Sequence, residues 1–560
     1  MAISKNKMKE GRTMKTKFVS IAVLLFLAIQ ATGQGTGFTT DPIKVVRAYE
    51  AVLSDALKFT PVPVLPTLES EKKEFTYTAV QRIAPTPIEL TPMTPMRAMA
   101  EPPSPIANNY FKAGFGNYTT PLLKGHFMSR RDPKFEYGVN FSHFSSRGDL
   151  RVDTNKFDNA NLSDNALGVY GKRYLRNVVV NSHFDFERNV RHFYGAHQPV
   201  EIPADSIRQV FLQFSGALGV NSNQVANDQL DFGTQFSFYT IGDAYEQSEN
   251  NLRLDGKLLA RLNENKVTFD FALDYTNYNS VGGFSVNRSL VYFQPRYEYL
   301  ADKFRATAGL NMVMQASGGV SLFQFYPVID LDYKLADVYM IAYAGITGNI
   351  ERNSFRDVIR RNPFVGTGLD IRNTNNRFQL YGGLKGSIDE ITSYDVSVGY
   401  QRLRDAMFFL NDTSDFTRLI PVYDSSTNVF KFNAVILRKF GEKYTAKFEL
   451  AYSGYGLSTL AAPFMQPTFT MKLGGSYQMQ QKLRFTGDVF VFNGVKYLDN
   501  AGLVQELNGV FDLNLGADYR YSDKLGFFVQ LNNLTASRYF RWFNYTSYGI
   551  NVLGGLSFNF

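Results

Sequence analysis

The chain has 560 residues, with 33 Tyr, 49 Phe and 44 Gly, a single Trp, no Cys and a formal charge of +8. The lack of cysteine excludes a disulfide framework and thiolate chemistry. Six lysines and arginines against one glutamate fall within residues 1–33, so the rest of the chain is near neutral, has no basic block, and argues against nucleic acid as a partner.

Residues 1–33 have the layout of a secretory signal peptide. Lys5 to Lys17 lead into an apolar run over 18–28, followed by the small residues Ala31 and Gly33 ahead of Gln34. That run is well short of the ~20 residues a spanning helix needs. Met14 is an alternative start, and no cysteine follows to make a lipoprotein. Residues 34–107 hold eleven of the 21 prolines. Proline fixes φ and removes a donor, so an extended periplasmic leader is expected there. Within it, residues 41–57 have strand-like and helix-like halves suited to docking on an envelope partner.

From Asn109 the chain alternates. Phe135, Tyr137, Val139 and Phe141 form one apolar set. Val267, Phe269, Phe271, Leu273 and Tyr275 form another, with Tyr444 to Tyr452 and Phe511 to Tyr521 repeating the pattern. Strand side chains point alternately to two faces, and segments of about ten residues can cross a bilayer when tilted. The interleaved positions carry Lys431, Lys447, Glu449, Arg484 and Asp488. A dry core could not hold those charges unpaired, whereas a water-filled lumen keeps them solvated. The expected fold is therefore all-β: a large closed antiparallel transmembrane barrel over residues 108–560, of even strand number.

Short polar turns at 131–133, 263–265, 301–303, 336–337, 441–443 and 522–524 alternate with longer loops near 145–163, 189–207, 241–250, 351–363, 412–427, 454–466, 494–504 and 534–545. Short turns mark the periplasmic rim and long loops the outer one, which puts the C-terminus on the periplasmic side. The tally is 24 strands when the brief run 406–410 is included, with 22 as the alternative.

Catalytic material is sparse. His126, His143, His183, His192 and His197 show no metal-ligand spacing, and His192 and His197 are expected as solvated loop residues. His143 beside Phe144, Ser145 and Ser146 suggests a serine hydrolase of the outer-membrane phospholipase type. Adjacent strand residues diverge to opposite faces, however, and no nucleophile motif surrounds the serines, so no enzyme activity is expected. Asp149, Asp153, Asp158 and Asp164 lack calcium-loop spacing and read as a solvated loop. No cofactor or metal is implied.

The chain ends on an alternating strand in which Val552, Leu556, Phe558 and Phe560 share one face. This pattern resembles the C-terminal signal read by the barrel-assembly machinery. Asn532-Asn533-Leu534, Arg538-Tyr539, the aromatic-rich 542–548 and the glycine-bearing 549–560 together resemble the end of TonB-dependent receptor barrels. The opening NNYFKAGFGNYTTP from Asn108, with HFSS at 143–146, is similar to plug-less barrels of that type. The resemblance implies an outer-membrane location, solute uptake and an energy-coupling partner met through residues 34–107. Receptors of the family carry a plug domain and a coupling box before the barrel. Here the proline-rich leader occupies that place, and Ile43-Lys44-Val45-Val46 is its box-like stretch. The alternative reading is a non-transporting structural or assembly partner of an envelope complex.

Overall fold

The computed structural model describes residues 109–560, apart from 130–131, 133, 153–154, 158, 196–202, 224–228, 413–414, 416, 442 and 500. The signal segment 1–33 and the leader 34–107 lie outside the described residues. Twenty-two strands form one antiparallel sheet, each paired with its neighbours in the chain. The sheet closes where Asn109–Gly116 pairs with Asn551–Asn559, with Tyr110 opposite Asn559 and Gly114 opposite Gly555. Main-chain bonds of 3.1 Å run both ways between Asn109 and Phe560, so the terminal residue completes the seam. No sheet edge remains to be satisfied, as a bilayer demands.

Sidedness follows the alternation. Phe269, Phe271, Leu273 and Tyr275 are 39–45% exposed on the outside, while Ala272 and Asp274 between them are 5% and 3% exposed. Val552, Leu556, Phe558 and Phe560 all project from the outer face, and Leu553 turns inward to pack with Leu122 and Phe528. Lys447 and Glu449 form an ion pair on the inner face. An outward apolar belt around a polar interior is the physical signature of a transmembrane barrel, and this one belongs to the cell outer membrane.

The strand number is 22, the lower of the two tallies. Ala406–Asn411, counted among the spanning strands, instead pairs with Leu419–Asp424 in a hairpin outside the barrel sheet. Its residues are apolar on both faces because both are buried, Phe408 as well as Phe409. Three connections on the long-loop rim are also short, at 117–119, 281–283 and 318–319. Two of these use glycines at φ of +57° to +81°, where side chains with a Cβ are strained.

The seam depends on small residues. A Cβ on Gly555 would lie 2.0 Å from the carbonyl oxygen of Ala113 on the first strand. Gly555→Val is therefore expected to keep the first and last strands from pairing. In a gel run without boiling, the fast-migrating folded band should be lost. A variant that still gives that band would show that the seam tolerates the separation.

Candidate functional site

The long loops fold inward. Wall residues Phe211 and Tyr239 on one side and Phe492 and Val510 on the other belong to a single apolar cluster. These strands stand on opposite sides of the ring, so the cluster bridging them crosses the lumen at the outer mouth. Its centre is aromatic: Phe364 stacks on Tyr545 at 3.6 Å, and Phe409 meets the edge of Trp542 at 5.6 Å. The hydroxyl of Tyr545, fully enclosed there, is held neutral by burial, well above its ordinary range.

A principal lid element is loop 352–373 with its helix Phe355–Arg361. Ser354 caps the helix, accepting from the N–H of Asp357 at 3.1 Å. The next donors are taken by the wall. Glu249, on strand Ser248–Leu262, accepts from the N–H groups of Phe355 at 2.8 Å and Arg356 at 3.3 Å. A carboxylate at a helix N-terminus also meets the positive end of the helix dipole. The hydroxyl of Tyr239 donates to the same carboxylate at 2.8 Å, and Arg288 pairs with it at 3.6 Å. Arg288 further donates to the carbonyls of Asn353 at 2.7 Å and Ile371 at 3.2 Å, gripping both ends of the loop. Arg352 reaches Asp274 at 3.0 Å. Burial opposes the charge on Arg352, but Tyr239 and Asp274 outweigh it and raise its pKa. Together these contacts form a latch between lid and wall.

A second tie joins two loops. Asp424, fully buried, accepts from the N–H groups of Ser458, Thr459 and Leu460 and from the hydroxyls of Thr427 and Thr459. Burial alone would raise its pKa, yet the hydrogen bonds from Thr427, Thr459 and Leu460 hold it well below the usual carboxylate range. A depressed pKa stabilises the fold fully above the ordinary value of about 4 and loses that contribution as pH falls through the folded-state value. Asp424→Ala is expected to expose loop 457–468 to protease at neutral pH, each lost charged bond costing about 1.5–3 kcal/mol. Wild type and variant should converge only in strong acid. Equal protection at pH 7 would remove Asp424 from this role.

Beneath the lid the lumen wall carries both signs. Asp332 pairs with Arg305 and, at 2.9 Å, with Lys385. Tyr343 donates to Asp395 at 2.8 Å, and Tyr381 to Asp330. The Glu249, Arg288 and Arg352 latch was missed in sequence because its partners lie far apart in the chain, Glu249 and Phe355 by 106 positions and Asp274 and Arg352 by 78, and no spacing marks them.

Of the sequence candidates, His126 stacks on Tyr170 and His183 lies 3.9 Å from Asp185. His192, expected in a solvated loop, ends a strand; it is buried, with its ring nitrogen 2.9 Å from the carbonyl of Asn161. His197, Asp153 and Asp158 lie outside the described residues. Asp164 pairs with Arg191, and Asp149 accepts from the N–H of Asn159. No group of three or more metal-ligating side chains forms among the described residues. The argument from diverging faces does not reach Ser145: it is two residues from His143, shares its face, and lies within hydrogen-bonding distance of it.

No family model and no curated protein matches the chain. Among solved structures, it is similar to the FrpB iron transporter from Neisseria meningitidis, with a TM-score of 0.64 at 11% identity over 81% of each chain. It is also similar to the siderophore receptor PirA from Acinetobacter baumannii, at 0.62 and 10%, covering 81% of this chain and 80% of that one. The ferric-catecholate import receptor Fiu from E. coli K12 gives 0.61 and 10%, covering 81% and 82%. At such identities the likeness is one of fold.

Proposed function

We propose, on the premise that this chain has the 22-strand barrel of the TonB-dependent receptors, that it takes up a solute across the outer membrane through a mouth gated by its loops. The observation that carries this reading is the lid: loops that cross the lumen and are tied to the wall by buried charged groups. A structural shell has no need of an ion-paired cover over a polar interior. The solved structures it resembles include an iron transporter, a ferric-catecholate import receptor and a copper transporter. Uptake of a small metal-bearing solute is the class they support here.

Residues 34–107 are the stretch we assign to a periplasmic energy-coupling partner. Val552, Leu556, Phe558 and Phe560 are the residues we assign to the barrel-assembly machinery, which would read their apolar outward face during insertion.

Conductance of the purified full chain in planar bilayers tests the reading. Low current in the intact protein that rises when residues 352–373 are replaced by a short glycine-serine link supports a gated path. A barrel that stays sealed after that replacement, and copurifies with stable envelope subunits, would favour the structural role instead.

A further inference from the structure

His143 and Ser145 are alternate residues of strand Phe135–Ser146, on the face where Phe135 and Tyr137 meet lipid. Asn165 stands opposite His143 on strand Leu162–Tyr174, on the outer face with Leu167 and Val169. Oγ of Ser145 lies 3.3 Å from Nε2 of His143, and Nδ1 of His143 lies 2.7 Å from Oδ1 of Asn165.

The direction of this chain is set from its far end. Nδ2 of Asn165 donates to the main-chain carbonyl of Arg188 at 3.1 Å and to Oγ of Ser163 at 3.1 Å. A carbonyl only accepts, so the amide nitrogen must face it and the amide oxygen must face His143. That oxygen in turn requires the imidazole proton on Nδ1. Nε2 of the neutral ring then presents its lone pair to the hydroxyl of Ser145. This is the order of orienting group, general base and nucleophile in serine hydrolases.

We propose that Ser145, His143 and Asn165 form a hydrolytic relay that cleaves acyl esters of membrane lipids at the outer boundary of the lipid belt. Position carries the substrate class. Ser145 is the last outward residue before loop 147–161 on the long-loop rim. Leu123 lies opposite His143, and Phe141 opposite Leu167 continues the apolar surface below. A lipid's ester groups sit where its acyl chains meet its headgroup, the level at which this apolar surface ends. Arg188 stands beside Asn165 on the same face, a cation where a lipid phosphate would lie.

Oγ of Ser145 would attack the ester carbonyl carbon while its proton passes to Nε2 of His143. The ester C–O bond breaks, and His143 returns the proton to the departing alcohol. Water then attacks the acyl-serine, His143 takes its proton, and the fatty acid leaves as Ser145 regains its hydrogen. Ester and water become acid and alcohol, with no other reactant. Asn165 is a positioning residue that holds the ring.

The test is independent of any transport role. Full-length protein, shown folded by its heat-modifiable band, is treated with a fluorophosphonate probe and assayed on phosphatidylethanolamine in mixed micelles. Labelling at Ser145 and release of fatty acid are expected. Ser145→Ala should abolish labelling and lower hydrolysis at least about a thousand-fold. Ser142→Ala, on the inner face of the same strand, should leave both unchanged. Asn165→Asp should retain activity but move the acid limb of the rate profile to higher pH, since a carboxylate favours the protonated ring; a purely structural asparagine would leave that limb in place. Folded protein that neither labels nor hydrolyses, or hydrolysis that survives Ser145→Ala, would reduce the three residues to an interfacial hydrogen-bond chain and overturn the proposal.

Discussion

Replacing Glu249 with alanine is expected to release loop 352–373 from the barrel wall and open the mouth. Among the described residues the carboxylate is the acceptor for the N–H groups of Phe355 and Arg356, and it lies against Arg288, itself 6% exposed. Removing one partner of a buried pair leaves the other charge stranded, at a cost of about 3–5 kcal/mol. The barrel has 22 strands of main-chain pairing to absorb this loss, whereas loop 352–373 is held by packing and side-chain bonds to the wall and its neighbouring loops, so the damage should fall on the loop. Trypsin should then cut at Arg356, Arg360 or Arg361 in the variant while sparing the wild type, and single-channel current should appear. The double variant Glu249→Gln with Arg288→Met removes both charges together. It should be better protected than the single one, because no unpaired ion remains. If single and double variants are cleaved alike, the two side chains are not coupled.

The second large effect concerns the outer face. Phe271 lies mid-strand and 42% exposed to lipid, while Asp270 beside it points inward. Phe271→Arg should cost about 2–4 kcal/mol of barrel stability, the price of a guanidinium at the bilayer midplane. Asp270→Ala should change stability by no more than about 0.5 kcal/mol, as expected for a solvated side chain. Urea unfolding in lipid vesicles, followed by far-ultraviolet circular dichroism, measures both. Equal losses would mean that the two faces see the same solvent.

The architecture was readable because each spanning segment obeys a local rule. The outward set Phe269, Phe271, Leu273 and Tyr275 needs only a period of two, and the reversal at Asn263 needs only a residue that accepts φ of +57°. The hairpin Ala406–Asn411 misled because an apolar run was counted as a strand through lipid. Its want of alternation was the clue that it packs inside protein on both sides. The latch was hidden for a different reason. Glu249 meets Phe355 across 106 positions, a proximity created by the sheet and invisible to any local pattern. His143 and Ser145 were legible by parity, as residues two apart on one strand. Asn165 became their partner only once the register between its strand and theirs was known.

The pairing of Tyr110 with Asn559 bears on how the molecule is made. The two partners are nearly the whole described chain apart, so the final ladder cannot form before residues 551–559 have been made. Until then the growing sheet carries two bare edges, which invite pairing with other chains. Such long-range closure is also slow. Exposed edges and slow closure together favour a chain kept unfolded until it meets the membrane.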